Sequence, residues 1–187
     1  MSRYSIAVIV GSLRAHSINS KLADAVVALG PKHFSFNRVV IDDLPLYNQD
    51  DDDNPAECVK HLKNEILQSS GLLFVTPEYN RSILGVLKNA IDHASRPYGQ
   101  SVWAGKPAGV IGASIGATGT CMAQQHLRNI LAYLDAPTLG QAEVFIHAKE
   151  GFFDSGGSLG DASKVFLQSW MDRYVAWVEK HVDKVKN

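Results

Sequence analysis

The chain has 187 residues with a net charge of −1, of which 45% are hydrophobic and 20% charged. That length fits one domain, and a folded chain of this size buries roughly 70% of the surface that its unfolded form exposes, so a core forms without staples. Lys and Arg number 9 against 11 Asp and Glu up to His93, and 9 against 8 beyond it. This even balance excludes the basic footprint of a nucleic-acid binder and the basic tail that holds an anionic membrane.

The first predicted element is the run YSIAVIV over 4–10, short, apolar and rich in β-branched residues. It reads as a strand buried on both faces. A polar loop opening at Gly11 follows, then a helix over 20–29 with Leu22, Ala25, Val26 and Leu29 at helical spacing, ended by Gly30 and Pro31. A second strand is expected over 35–41. Residues 42–54 read as a loop, and the run from Asp50 to Asp53 reads as solvated rather than as a cation site. Pro55 is placed as the first residue of a helix capped by Asn54 and running to Gln68.

The run GLLFVT over 71–76 predicts a third buried strand stopped by Pro77, and 83–94 a helix with Leu84, Leu87, Ile91 and Ala94 facing inward. A fourth strand is expected over 107–113, a helix over 120–134, and a fifth strand somewhere in 138–146. Residues 152–160 form a loop before a last helix from Asp161, whose Phe166, Trp170, Tyr174 and Trp177 line one packing face. Alternation of strand and helix predicts a doubly wound parallel sheet with helices on both faces. With strand order 2-1-3-4-5, the first and third strands flank the ligand crevice at the carboxyl ends of the strands.

Three loops leave that edge. Residues 11–20 (GSLRAHSINS) join strand to helix, where free backbone N–H groups and the positive helix end favour an anion. Ser12, Ser17, Asn19 and the charge of Arg14 complete a phosphate cradle. No Gly-Lys-Ser/Thr ending and no G-x-G-x-x-G occurs, which counts against a nucleotide-triphosphate loop and a dinucleotide fingerprint. Residues 76–82 (TPEYNRS) offer backbone amides and the Tyr79 ring to a planar ligand, or else a turn capped by Asn80 or Ser82. Residues 112–120 (GASIGATGT) let a flat ring approach the backbone, or else cap the next helix through Thr118 or Thr120.

GSLRAHSIN, TPEYNRSILGVLKNAID, KPAGVIGASIGATGT and QQHLRNILAYLDA, in that order, resemble the NADPH-dependent FMN reductase family, nearest its bacterial quinone and chromate reductases. The resemblance covers about residues 6–143. It implies a flavodoxin-like fold with tightly bound FMN and NADPH or NADH as electron donor. It places Ser12, Arg14, Ser17, Asn19 and Ser20 on the phosphate, Pro77, Glu78, Tyr79 and Asn80 along the flavin ring, and Ser114, Ile115 and Gly116 on its pyrimidine side. It also implies a homodimer or homotetramer. Two departures touch substrate access: Leu84-Gly85 stands where Pro-Gly is usual, and Gly119-Thr120 where Gly-Gly is usual.

A flavin that carries the electrons needs position and electrostatics from the protein, which agrees with the lack of a G-x-S-x-G elbow, an H-E-x-x-H or a paired-carboxylate motif. No metal site and no catalytic side chain is expected. The implied reaction is a ping-pong transfer of two electrons to a quinone or another oxidised acceptor: chromate, azo or nitro compounds, or free flavin. The competing readings are a flavodoxin-type electron carrier, disfavoured by the near-neutral charge, and a flavin-binding regulatory protein. Cys58 and Cys121 form no Cys-x-x-Cys pair, and Cys121 reads as a small buried hydrophobe. Without a signal-like start or a ~20-residue apolar run, the expected compartment is the cytoplasm, with no membrane insertion. His16 reads as a surface histidine, and Arg128, Tyr133 and Glu143 as candidates for a subunit contact.

Overall fold

The computed structural model describes residues 3–154 and 158–184. Five strands, β1 (Tyr4–Val10), β2 (Phe34–Arg38), β3 (Gly71–Val75), β4 (Ala108–Ser114) and β5 (Phe145–His147), form one sheet in the order β2-β1-β3-β4-β5. All four ladders are parallel; Ile6 pairs with Phe36 on one side and Gly71 on the other, and Val75 with Ile111. This is the flavodoxin-like topology, with its reversal of direction between β1 and β3.

Alternate residues of the same strands feed two cores. Ile6, Val8, Leu73, Val75 and Ile111 pack under α1 (Ile18–Val27) and α5 (Asp161–Lys184). Ala7, Ile9, Leu72, Phe74 and Val110 pack under α2 (Glu57–Gln68), α3 (Gly85–Ala94) and α4 (Cys121–Tyr133). Apolar side chains on both faces are what a two-sided parallel sheet demands, and they explain the unbroken hydrophobic runs. In α5, Trp170 and Tyr174 are buried and stack at 5.5 Å, with the Tyr174 hydroxyl donating to the Leu72 carbonyl at 2.9 Å. Burial pushes the Tyr174 phenol pKa well up. Phe166, expected on the same face, is exposed instead, because the buried stripe of α5 runs through Leu167, Trp170, Met171, Tyr174 and Val178, one residue round the helix from it.

Several element ends differ from expectation. Helix α1 starts at Ile18, two residues early, because Ser17 caps it by accepting from the Ser20 N–H. Helix α2 starts at Glu57 with Ala56 in the cap position, so neither Asn54 nor Pro55 initiates it. Helix α3 starts at Gly85, since residues 79–82 close a tight turn in which Tyr79 and Ser82 exchange both backbone hydrogen bonds. Asn80 and Arg81 take φ of 50° and 62° there. Strand β2 stops at Arg38, three residues short of the expected end, although Val39 and Ile41 stay buried.

In the region expected to hold the fifth strand the chain meets β4 twice. Thr138 bridges to Ala108, the chain then lifts away, and Phe145–His147 returns beside Gly112–Ser114. Cys121 is half-buried rather than buried. The loop expected over 152–160 lies partly outside the described residues; within them Phe153 bridges to Leu159. Asp50, Asp51 and Asp53 are exposed around a single 3-10 turn, Gln49–Asp51.

Candidate functional site

The carboxyl ends of β1, β3 and β4 open into a cleft of about 290 Å³. Its first wall is the loop from β1 into α1. Among the described residues, the backbone N–H groups of Ser12 through His16 donate to no backbone carbonyl, and the first helical bond of α1 runs from Lys21 to Ser17. The N–H groups of Ile18 and Asn19 are therefore also left over, at the positive end of the helix. The Ser17 hydroxyl accepts from Ser20 and retains its own proton for a ligand. The Arg14 side chain is exposed and makes no hydrogen bond or ion pair with the described residues. Donors of this number and sign suit a phosphate monoester.

Asn19 does a different job. Its side chain is 3% exposed, its Nδ2 donates to the Ala113 carbonyl at 2.9 Å, and its Oδ1 accepts from the Ala113 N–H at 2.9 Å. Strand β3 turns away at Pro77, one residue after Thr76 N–H donates to Ile111. The next residue of β4 facing that side is Ala113, and the Asn19 amide takes the place of the missing strand. The β1–α1 loop is thereby locked to β4.

The second wall is the β3–α3 loop, with Pro77 buried, Glu78 half-buried and Tyr79 53% exposed. Glu78 Oε2 accepts from the N–H groups of Met122 and Ala123 at 3.0 and 3.1 Å. Helix α4 is thus capped by a carboxylate 44 residues away. Thr120 occupies the cap position with φ of 69°, and its hydroxyl is turned inward to accept from Gln124 Nε2 at 3.0 Å. Sequence reasoning missed this cap, and no local pattern marks it. Replacing Glu78 by Ala is expected to cost about 1 kcal/mol of stability, since a lost N-terminal cap costs roughly 0.5–2 kcal/mol. Glu78→Gln, which keeps an acceptor oxygen, should recover most of it in urea unfolding.

The third wall is the end of β4. Ser114 and Ile115 line the cleft, and Ile115 is 79% exposed on its lip. Ser114 Oγ donates to the Gly116 carbonyl at 2.9 Å, which curls the loop back. Gly112 has to be glycine: a Cβ there would stand 2.1 Å from the Thr76 carbonyl oxygen and 2.4 Å from Thr120 Oγ1. This closeness brings the three loops together.

Ser12, Arg14, Ser17, Asn19, Pro77, Glu78, Tyr79, Ser114 and Ile115 therefore meet at one cleft, joined by Ile18 and Ala113. Three of the expected residues do not line it. Ser20 faces a neighbouring cleft, Asn80 sits on the exposed tight turn, and Gly116 contributes its carbonyl to Ser114. Ser82, expected as a possible cap, places its hydroxyl 2.6 Å from His126 Nδ1 on α4. His16 is exposed.

Farther out on α4, Arg128 Nη1 donates to the Leu139 carbonyl at 2.6 Å and Nε lies 3.6 Å from Glu143. Burial lowers the guanidinium pKa, and the Glu143 carboxylate opposes that shift. Tyr133 projects into solvent. Among the described residues no group of three or more His, Cys, Asp or Glu is placed to hold a metal ion, and no helix is long and apolar enough to cross a membrane.

The cleft fits FMN: a donor-rich anion cradle on one wall, and exposed flat or branched apolar groups, Tyr79 and Ile115, flanking the other two. Comparison with known proteins agrees. Residues 4–151 match the family model described as NADPH-dependent FMN reductase. A 2-hydroxy-1,4-benzoquinone reductase from a Burkholderia species is 52% identical over 174 residues, 92% of this chain and 95% of that one. A quinone reductase from Pseudomonas putida is 46% identical over 177 residues, 94% of this chain and 95% of that one. The solved structure of FerB, a flavoenzyme NAD(P)H:(acceptor) oxidoreductase from Paracoccus denitrificans, superposes with a TM-score of 0.90 at 42% identity, covering 95% of this chain and 98% of that one.

Proposed function

We infer the function of this chain from its membership: it belongs to the NADPH-dependent FMN reductase family. FMN is the cofactor and a reduced nicotinamide the electron donor. The reading we propose is an NAD(P)H-dependent quinone reductase, one domain in length, that turns over small-molecule acceptors by a ping-pong cycle.

The observation that carries it is the placement of an anion cradle and an open apolar mouth in one crevice. Ser12, Arg14, Ser17 and the leftover N–H groups of α1 anchor the cofactor by its phosphate. Pro77 and Glu78 hold the second wall rigid, the latter through its bond to α4. When bound, FMN supplies the hydride-accepting and electron-donating chemistry, so no side chain need act as nucleophile or general base. Tyr79 and Ile115 leave the mouth exposed and apolar, suited to one flat ring at a time, nicotinamide first and acceptor second. An aromatic ring also stacks on Tyr79 at little entropic cost. The same mouth admits chromate, azo and nitro compounds and free flavin as lesser acceptors. The exposed Leu46, Tyr98 and Tyr133 support a homodimer or homotetramer, and the reaction belongs to the cytoplasm, where reduced nicotinamides are supplied.

Anaerobic stopped-flow mixing with NADPH tests this reading. The flavin absorbance should bleach without any partner protein and return on addition of 1,4-benzoquinone, and steady-state double-reciprocal plots against both substrates should be parallel. A flavin that stays oxidised until a separate reductase is added would instead mark an electron carrier.

A further inference from the structure

On the far side of the phosphate loop lies a second cleft, of about 300 Å³, between the carboxyl ends of β1 and β2. It shares Ser12 and Arg14 with the flavin cleft, so the two sites meet at the phosphate cradle. Nothing in the reaction described above uses it.

Its chemistry is specific. Arg38, from the end of β2, is held by α1: its Nη2 donates to Asp24 Oδ1 at 2.7 Å and to the Ser20 carbonyl at 3.4 Å. Nε and Nη1 have no partner among the described residues. With Arg14 this gives two guanidinium groups lining one cleft, one of them fixed in place. Asp42, exposed at the other end, has no hydrogen bond or ion pair among the described residues and is free to accept from a ligand hydroxyl. Leu13 and Val40, also lining the cleft, are 54% and 49% exposed and offer apolar surface for a flat base. Paired cations, a hydroxyl acceptor and exposed apolar flanks are the complement of a nucleoside phosphate. In the dinucleotide-binding doubly wound sheets an acidic side chain or an Arg following the phosphate loop supplies groups of this kind to a ribose.

We propose that this cleft binds the adenosine phosphate half of a redox dinucleotide, with Arg38 and Arg14 on phosphate, Asp42 on a ribose hydroxyl and the base against Leu13 and Val40. The inference rests on the proposed reductase reading, because that reading places the cofactor's phosphate at Arg14. Two redox dinucleotides would bring a phosphate to Arg38: NADPH, through the 2′-phosphate that NADH lacks on the same adenosine half, and FAD, which extends FMN by adenylate from the phosphate already seated in the cradle.

Calorimetric titration separates them. FMN-loaded protein is titrated with adenosine 2′,5′-bisphosphate, and apoprotein with FMN and with FAD, for the wild type, Arg38→Ala and Val40→Glu. If NADPH is the source, the bisphosphate binds the loaded protein, and Arg38→Ala weakens it about tenfold to a hundredfold, the usual worth of a charge-assisted contact. The KM for NADPH then rises while that for NADH stays. If FAD is the source, the apoprotein binds FAD more tightly than FMN, and both variants erase that difference. Neither variant touches the flavin cleft, so FMN affinity and the visible spectrum should hold in each. Absence of bisphosphate binding together with equal FMN and FAD affinity overturns the proposal. A wild-type protein that fails to bind FMN at all overturns the reductase reading instead.

Discussion

Asn19→Ala is expected to lower the unfolding free energy by about 2–4 kcal/mol, because it strips two buried backbone groups at once. Ala113 N–H and C=O both depend on the Asn19 side chain, at 2.9 Å each, in a place where β3 has already ended. An unsatisfied buried donor or acceptor costs roughly 1–3 kcal/mol, and water entering the space left by the amide returns part of the sum. For a chain of this length each kcal/mol is worth roughly 2–4 °C in Tm, so a drop on the order of 10 °C should accompany it. Asn19→Asp keeps an acceptor for the N–H but sets an oxygen against the Ala113 carbonyl, and it should fare no better. Urea midpoints at unchanged slope measure the effect. A loss below about 0.5 kcal/mol would show that the amide does not act as the surrogate strand. FMN affinity should fall with stability, since the same side chain ties the phosphate loop to β4.

The second large effect is on binding alone. Arg14→Ala should weaken FMN about tenfold to a hundredfold, roughly 1.5–3 kcal/mol for one charge-assisted phosphate contact. The side chain is exposed and engages no described residue, so unfolding midpoints should stay within roughly 0.5 kcal/mol of the wild type. Arg14→Lys keeps the charge but loses the planar pair of donors, and it should fall between the two. The wild-type affinity should also decline with added salt more steeply than that of Arg14→Ala. Equilibrium dialysis of FMN at two salt concentrations reads both quantities, and an unchanged affinity in Arg14→Ala removes Arg14 from the phosphate site.

The strand cores were legible because a strand covered on both faces must be apolar at every position, and runs such as YSIAVIV and GLLFV leave few alternatives. Three of the loops between them were legible as walls of one cleft because an open parallel sheet gathers such loops at the carboxyl edge of its strands. Helix starts were less so. A Ser, Asn or Pro near a boundary is a local signal; at Asn54–Pro55 the helix begins past it, at Glu57, and at Ser82 it competes with a tertiary partner. Ser82 faces His126 instead of capping α3, and α4 takes its cap from Glu78.

Residue order alone thus determined the topology, the crevice between β1 and β3, and the segments that line it, since hydrophobic pattern and crossover handedness act along the chain. Only the folded molecule decided the labour of individual side chains within that frame. Asn19 braces a strand end 94 residues away, Glu78 seals a helix 44 residues away, and Ser20 and Arg38 face a second cleft. The reason is physical: periodicity reports which face of an element is buried, whereas the partner of a polar atom is chosen by which unsatisfied donor or acceptor the packing brings within 3 Å of it.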